Sequence, residues 1–241
     1  MNITPRQPAR SAMTLLGTAT PRLDLFLTWW YGQPDRGSTA TSGSDHWTPR
    51  PLREWFEVTS RWSRPVTMQN RVLDPGSAWV EDGKVVFWVE NQGVWLWAVD
   101  PTGDDPDVYD RENKPGRPWQ STGVTLSVFL VHGAVFEAIC GAPAGASAAW
   151  ITPQQLEQVL SPLIPIPGAA WRWPCPMHQL YAGDGLLAMA GPNYGAGETA
   201  DTAAYREVFI AGRESSAIDY LAKIDGVDWD WASWQLDLNR G

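Results

Sequence analysis

The sequence predicts an α+β fold in which helices pack against an antiparallel hairpin. Residues 85–99 (VVFWVENQGVWLWAV) hold two runs of β-branched and aromatic residues around a Gly-containing turn, which is typical of a hairpin. Residues 51–62 (PLREWFEVTSRW) precede it with apolar side chains at helical spacing, and residues 123–139 (GVTLSVFLVHGAVFEAI) follow it with an apolar run of helical length. A helix, a hairpin and a second helix in this order favour a mixed fold.

The first predicted helix begins after an N-terminal stretch, residues 1–20, that we predict to be disordered. Thr20 is its expected N-cap, Pro21 lies in its first turn and Gly32 ends it. Residues 33–50 are rich in Gly, Ser, Thr, Pro and Asp and predict a long loop.

The second predicted helix opens at Pro51 and presents Leu52, Trp55, Phe56 and Thr59 on one face. In the hairpin that follows, side chains alternate between the two faces of a strand, and both faces are apolar. We therefore expect the hairpin to be central and covered by helices.

The segments after the hairpin are less regular. An acid-rich loop at residues 100–116 leads to the helix of residues 123–139, and residues 141–149 (GAPAGASAA) predict a connector. A helix (152–163), short strands around residues 171–175, 178–183, 186–191 and 206–212, and a last helix (214–224) complete the prediction. We predict a single domain over residues 21–241, with a second lobe from about residue 150 as the alternative.

The charge pattern limits the classes of partner. The net charge is −9, and the 18 Lys and Arg residues are scattered, whereas nucleic acids and anionic membranes require clustered cations. A basic protein partner suits an acidic surface, although the same charge also serves solubility alone. With only two cysteines, no signal-peptide core and no apolar run of about 18 residues, we expect a cytoplasmic protein.

Chemistry-bearing motifs are absent from the sequence. It has no G-x-S-x-G elbow, and His46, His132 and His178 are far apart. Cys175 and His178 have a spacing used by zinc sites but lack a second pair. We therefore expect no enzymatic activity, no metal and no cofactor.

Three short segments are candidates for contact with a protein partner. The two acidic segments suit acid rims around aromatic anchors, with solvated loops as the alternative. The polar turn residues either point at a ligand or satisfy open backbone groups. Each of the 16 tryptophans of the chain either packs in the core or serves as an anchor in an interface. The candidates are Glu90, Asn91 and Gln92 in the hairpin turn, Asp104, Asp105 and Asp107 in the acidic loop, and Trp229 and Trp231 near Asp225, Asp228 and Asp230.

Four motifs in residues 50 to about 140 resemble those of a known family in content and in order. They are LREWF (52–56), MQNRVLDP (68–75), DGKVVFWVENQGVWLWAVD (82–100) and DDPDVY (104–109). On these motifs the chain resembles the SUKH superfamily of bacterial immunity proteins, to which the Syd protein and the yeast cell-wall assembly regulators are related.

The resemblance implies helices against a bent antiparallel sheet, no cofactor, and a surface groove that engages a toxin or another protein. The expected function is that of a cytoplasmic immunity protein that neutralises a cognate polymorphic toxin by protein–protein contact. The alternative is a housekeeping adaptor or scaffold of the same fold with no toxin partner.

Overall fold

The computed structural model describes Leu16 and residues 22–37, 48–173, 177–193 and 205–233, with no side-chain description for 169–171. The chain divides into an N-terminal unit, Ala19–Gly141, and a C-terminal unit, Ala142–Gly241 together with Met1–Thr18. Helices and antiparallel strands occur in both units, which confirms the α+β class. The division falls near the predicted start of a second lobe; that the units form one domain stays a prediction. The predicted disorder of residues 1–20 lies, Leu16 apart, outside the described residues.

The N-terminal unit combines helices with one antiparallel sheet whose strands differ in length. Its helices are α1 (Leu23–Tyr31), α2 (Arg50–Thr59) and α3 (Leu126–Cys140). Its strands are β1 (Asn70–Val72), β2 (Trp79–Glu81), β3 (Lys84–Glu90), β4 (Trp95–Val99), β5 (Asp107–Glu112) and β6 (Gln120–Thr125). The sheet order is β1-β3-β4-β5-β6, with β2 also paired to β3.

Helices α1 and α2 lie where the sequence predicts them. α1 ends at Gly32, whose φ of 85° suits glycine, while the predicted cap Thr20 and Pro21 lie outside the described residues. α2 begins at Arg50, has a proline in its first turn, and buries Leu52 and Trp55. Its predicted apolar face is therefore the face that packs inward.

The predicted hairpin is strands β3 and β4. Trp88 pairs with Trp97 and Val89 with Leu96, and almost every residue of both strands is buried. Pairing shifts register between Val86 and Trp88, and such a bulge bends a strand. The prediction of a central hairpin with two apolar faces is confirmed.

An aromatic cluster joins α2 and α3 to this hairpin. The Trp88 ring centroid lies 5.5 Å from that of Trp55 on α2 and 5.5 Å from that of Phe129 on α3. Phe87 and Trp97 also contact Phe129, with centroids 5.8 and 6.1 Å apart. Tilted and edge-on pairs at these separations add stabilisation beyond the burial of area.

A glycine on α3 permits the helix to approach the sheet this closely. A Cβ atom on Gly133 would lie 2.4 Å from Cη2 of Trp88, which is too short for any real contact. The indole of Trp88 therefore occupies the space that a side chain would fill.

The acid-rich segment is not a loop along its whole length. Residues 107–112 form β5, in which Asp110 and Arg111 are buried. Arg111 bonds to Glu81 and Asp82 and stacks 4.3 Å from the Trp119 ring centroid. The prediction of a surface loop was wrong here because partners distant in sequence compensate the buried charge of Arg111, which composition does not reveal.

The C-terminal unit contains a second antiparallel sheet and the helix that the sequence predicts after residue 151. Its strands are β7 (Ala144–Ile151), β8 (Leu163–Trp171), β9 (His178–Gly183), β10 (Leu186–Pro192), β11 (Arg206–Gly212) and β12 (Trp231–Ala232), in the order β12-β7-β11-β10-β9-β8. The predicted helix is α4 (Pro153–Leu160), whose Thr152 and Gln155 form a capping box.

Two predictions for this unit were wrong. The predicted connector at residues 141–149 holds most of β7, because its small residues allow close strand contact: a Cβ on Gly145 would lie 2.7 Å from the Ile210 carbonyl oxygen. The predicted last α-helix is two 3₁₀ turns, Ser215–Ile218 and Leu221–Lys223. Apolar residues three apart suit a helix with three residues per turn.

No helix in the described ranges has both the length and the mean hydropathy needed to cross a membrane.

Replacement of Gly133 by Ala should lower the free energy of unfolding by about 1–3 kcal/mol, since overpacking against Trp88 displaces the helix or the indole. Gly76→Ala is the control, because nothing lies within 4 Å of its Cβ position and its φ is not positive. Urea unfolding followed by circular dichroism measures both variants. Equal stability of the two would contradict the close packing of α3 on β3.

Candidate functional site

The predicted turn residues divide between structure and surface. The Glu90 carboxylate is buried and accepts hydrogen bonds from the backbone N–H groups of Gln92 at 2.9 Å and Val94 at 3.2 Å. Asn91 and Gln92 are exposed. Glu90 therefore stabilises the turn, which was the structural alternative, and only the two amide side chains face solvent.

The predicted acidic residues have three different environments. Asp104 is exposed and accepts a bond of 2.9 Å from the Arg50 guanidinium. Asp105 accepts bonds from the backbone N–H and the hydroxyl of Ser127, at 2.8 and 2.7 Å. Asp107 is exposed at the start of β5. Asp105 thus accepts a hydrogen bond from an N–H in the first turn of α3 that has no acceptor within the helix. A negative charge is also favoured at this end of a helix.

The acidic residues and the hairpin turn do not form one surface. Residues 91–94 follow β3, whereas residues 100–106 follow β4. In an antiparallel ladder these connections lie at opposite ends of β4, so the structure separates the two candidate sets.

The predicted tryptophans belong to the C-terminal unit and differ in exposure. Trp229 is half-buried and packs against that unit's apolar core. Trp231 is 45% exposed, pairs through β12 with Ser147 of β7, and is flanked by the exposed Asp230. Trp231 is therefore available for contact in the described structure, and Trp229 is largely a core residue.

A groove between α1, α2 and α3 of the N-terminal unit brings together residues that the sequence analysis did not single out as a site. Its volume is about 430 Å³, within the range of ligand and side-chain pockets. We call it the three-helix groove. We call its apolar lining residues the floor and its polar lining residues the rim: the floor is Leu23, Pro51, Val58, Leu130 and Val131, and the rim is Arg22, Asp24, Arg50, Glu54, Arg61 and Ser127.

Two predicted residues hold the rim of this groove in place. Asp104 bonds to Arg50, and Asp105 bonds to Ser127. The loop after β4 therefore bonds to the first turn of α2 and to that of α3 beside the groove. The acidic loop acts here as a support for groove residues.

Charges on the rim are mostly paired within the unit. Arg22 binds Asp24 at 2.8 Å, and Arg50 bridges Glu54 at 2.9 Å and Asp104. The hydrogen bond from Arg22 is the main cause that holds the pKa of Asp24 below its ordinary value. Arg50 and Glu54 have the i,i+4 spacing of a helical ion pair, but the sequence placed Arg50 in the loop, one residue before the predicted helix, whereas α2 begins at Arg50.

Two titratable groups of α3 are buried in the N-terminal unit. Burial lowers the pKa of His132 to about 4, so its ring is neutral at physiological pH. The Glu137 carboxylate accepts bonds from the backbone N–H groups of Met68, Gln69 and Asn70 at 2.6, 2.6 and 3.0 Å. Burial nevertheless raises the pKa of Glu137 to about 7. Glu137 thus ties α3 to the segment entering β1.

In the C-terminal unit His178 is fully buried, and its Nε2 lies 2.8 Å from Oε1 of Glu207. Its ring fills the space over Gly191, where a Cβ would lie 2.7 Å from Nδ1. The pair joins β9 to β11 across β10. Within the described residues no group of three or more His, Cys, Asp and Glu is arranged to hold a metal ion.

Comparison with protein-family models, with curated proteins and with solved structures finds no match for this chain.

Replacement of Asp105 by Ala should lower the free energy of unfolding by about 1 kcal/mol, because the first turn of α3 loses its external acceptor. Asp107→Ala removes an exposed carboxylate from the same loop and should change stability by less than about 0.5 kcal/mol. Urea unfolding of both variants measures the difference. A larger loss for Asp107→Ala would contradict the capping role of Asp105.

Replacement of Glu137 by Gln should lower the free energy of unfolding by about 1–3 kcal/mol, since an amide NH₂ would face a backbone donor. The folded-state pKa of about 7 exceeds the ordinary 4.5, so the folded protein binds more protons between these values. The stability contributed by proton binding to Glu137 is therefore full below pH 4.5 and is lost as pH rises through about 7.

The difference in unfolding free energy between wild type and Glu137→Gln should accordingly shrink from pH 5 to pH 8. Urea titrations at four pH values measure it. A difference that grows with pH would mean that folding lowers the pKa of Glu137.

Proposed function

We propose that this chain is an immunity-type protein that binds a toxin and neutralises it by protein–protein contact, with the three-helix groove as its main anchoring site. The groove is the observation that carries the proposal. It lies in the N-terminal unit, which also holds the four motifs that resemble the SUKH superfamily.

The chemistry of the groove suits a protein ligand. Apolar pockets with a polar rim are where interface binding energy concentrates, because a partner side chain is desolvated in the pocket while the rim sets its orientation. The Arg50–Asp104 ion pair joins α2 to the β4–β5 loop, while the Arg22–Asp24 pair lies at the start of α1 and the Arg50–Glu54 pair lies within α2.

Neutralisation requires no chemistry from this chain. A standard interface covers about 800 Å² on each partner, which is enough to cover the active-site cleft of a small enzyme. Binding at the groove would position the surrounding surface over the toxin, and the toxin's substrate would be excluded.

The first experiment is capture of partners by the tagged full chain from a lysate of its own host at moderate salt, with identification by mass spectrometry. The expected result is one near-stoichiometric partner whose expression alone kills cells and whose toxicity this chain relieves. Several housekeeping partners without toxicity would support the adaptor instead, and the immunity proposal would be rejected.

Replacement of Val58 by Arg should raise the Kd for the captured toxin about a hundredfold, because an unpaired guanidinium in the apolar floor costs about 3 kcal/mol. Val80→Arg is the matched control, since Val80 is 69% exposed on β2 and does not line the groove. Circular dichroism checks that both variants fold, and titration calorimetry measures the affinity. Equal Kd values for the two variants would place the binding site outside the groove.

A further inference from the structure

The three arginines on the rim of the three-helix groove differ in whether a carboxylate pairs with them. Arg22 and Arg50 each have a carboxylate within 2.9 Å. Arg61 also lines the groove, and among the described residues it makes no ion pair. The groove therefore presents a guanidinium whose charge is not compensated by a bonded carboxylate of the described chain.

The backbone fixes the position of Arg61. Its N–H donates to the Val58 carbonyl at 3.2 Å, and its own carbonyl accepts from the N–H groups of Asp35 and Arg36 at 3.1 and 3.0 Å. The segment after α1 and the end of α2 are thus bonded at this residue. Its guanidinium lies 5.7 Å from the ring centroid of Trp62.

The other chemistry at the same place is apolar. Val58, one turn before Arg61, is half-buried in the floor, and Leu130 and Val131 are buried. A ligand that matches both features carries an apolar side chain next to a carboxylate. A carboxylate is the acceptor that a guanidinium binds with two parallel hydrogen bonds.

From this charge complementarity we propose that the groove binds a segment of the partner in which an Asp or Glu lies beside a Leu, Ile, Met, Phe or Trp, with the carboxylate on Arg61. The inference rests on the proposed function and specifies its ligand. It differs from the expectation of a basic contact that the net charge of −9 suggests, because recognition at a pocket depends on the local charges there.

The test uses random dodecapeptides displayed on phage as the probe and the full chain as bait. Selected peptides are then synthesised, and their Kd is measured by fluorescence anisotropy with wild type, Arg61→Glu, Arg61→Lys and Arg71→Glu. Arg71 is exposed on β1 and does not line the groove, so its variant makes the same charge change elsewhere.

The expected result is enrichment of acidic residues beside apolar ones. Binding should weaken at least tenfold in Arg61→Glu and less in Arg61→Lys, which keeps the charge but loses the fork, and it should be unchanged in Arg71→Glu. Selection of basic peptides, equal binding by Arg61→Glu and wild type, or no selected peptide would overturn the inference.

The two proposals fail in distinguishable ways. In one outcome, the Val58→Arg variant fails to bind the captured toxin, whereas the Arg61→Glu variant binds it normally. This would overturn the carboxylate assignment and leave the immunity function standing. Peptides that depend on Arg61, together with no toxin among the captured partners, would overturn the immunity function and leave the ligand chemistry standing.

Discussion

The contact between Trp88 and Gly133 is the constraint on which the N-terminal unit depends. The indole of β3 fills the space of the absent side chain on α3, and its ring also contacts Trp55 of α2 and Phe129 of α3. Because cores are packed to near-crystal density, this contact fixes the distance of two helices from one sheet. Two of the three helices that line the three-helix groove, α2 and α3, are positioned by these contacts.

The carboxylates of this unit act first on its own structure. Asp105 bonds to the first turn of α3, Glu90 stabilises the hairpin turn, and Glu137 accepts three backbone N–H bonds before β1. Each satisfies donors that would otherwise be unpaired and partly removed from water. An acidic composition therefore does not translate into one acidic face, and the groove retains a locally cationic residue in Arg61.

Prediction from sequence succeeded where the determining interactions are local. Helix α2 follows from side-chain periodicity, and the β3–β4 hairpin follows from two β-branched and aromatic runs around a Gly-containing turn. It failed for β5, where Glu81 and Asp82 compensate the buried charge of Arg111 and Trp119 stacks on its guanidinium, and for β7, where small residues permit close strand contact. In both cases the stabilising partner is distant in the chain.

The sequence by itself determined the α+β class and the positions of the main helices and the hairpin. It also located the acidic segment that follows the hairpin. Only the tertiary structure decided that Asp104 and Asp105 support a groove, that Glu90 is buried, and that the turn and the acidic loop lie apart. The groove joins side chains from α1, α2 and α3, which are separated along the chain by strands and loops. Periodicity reports which face of a helix is apolar, but which faces meet, and which charges remain unpaired there, depends on packing between distant segments.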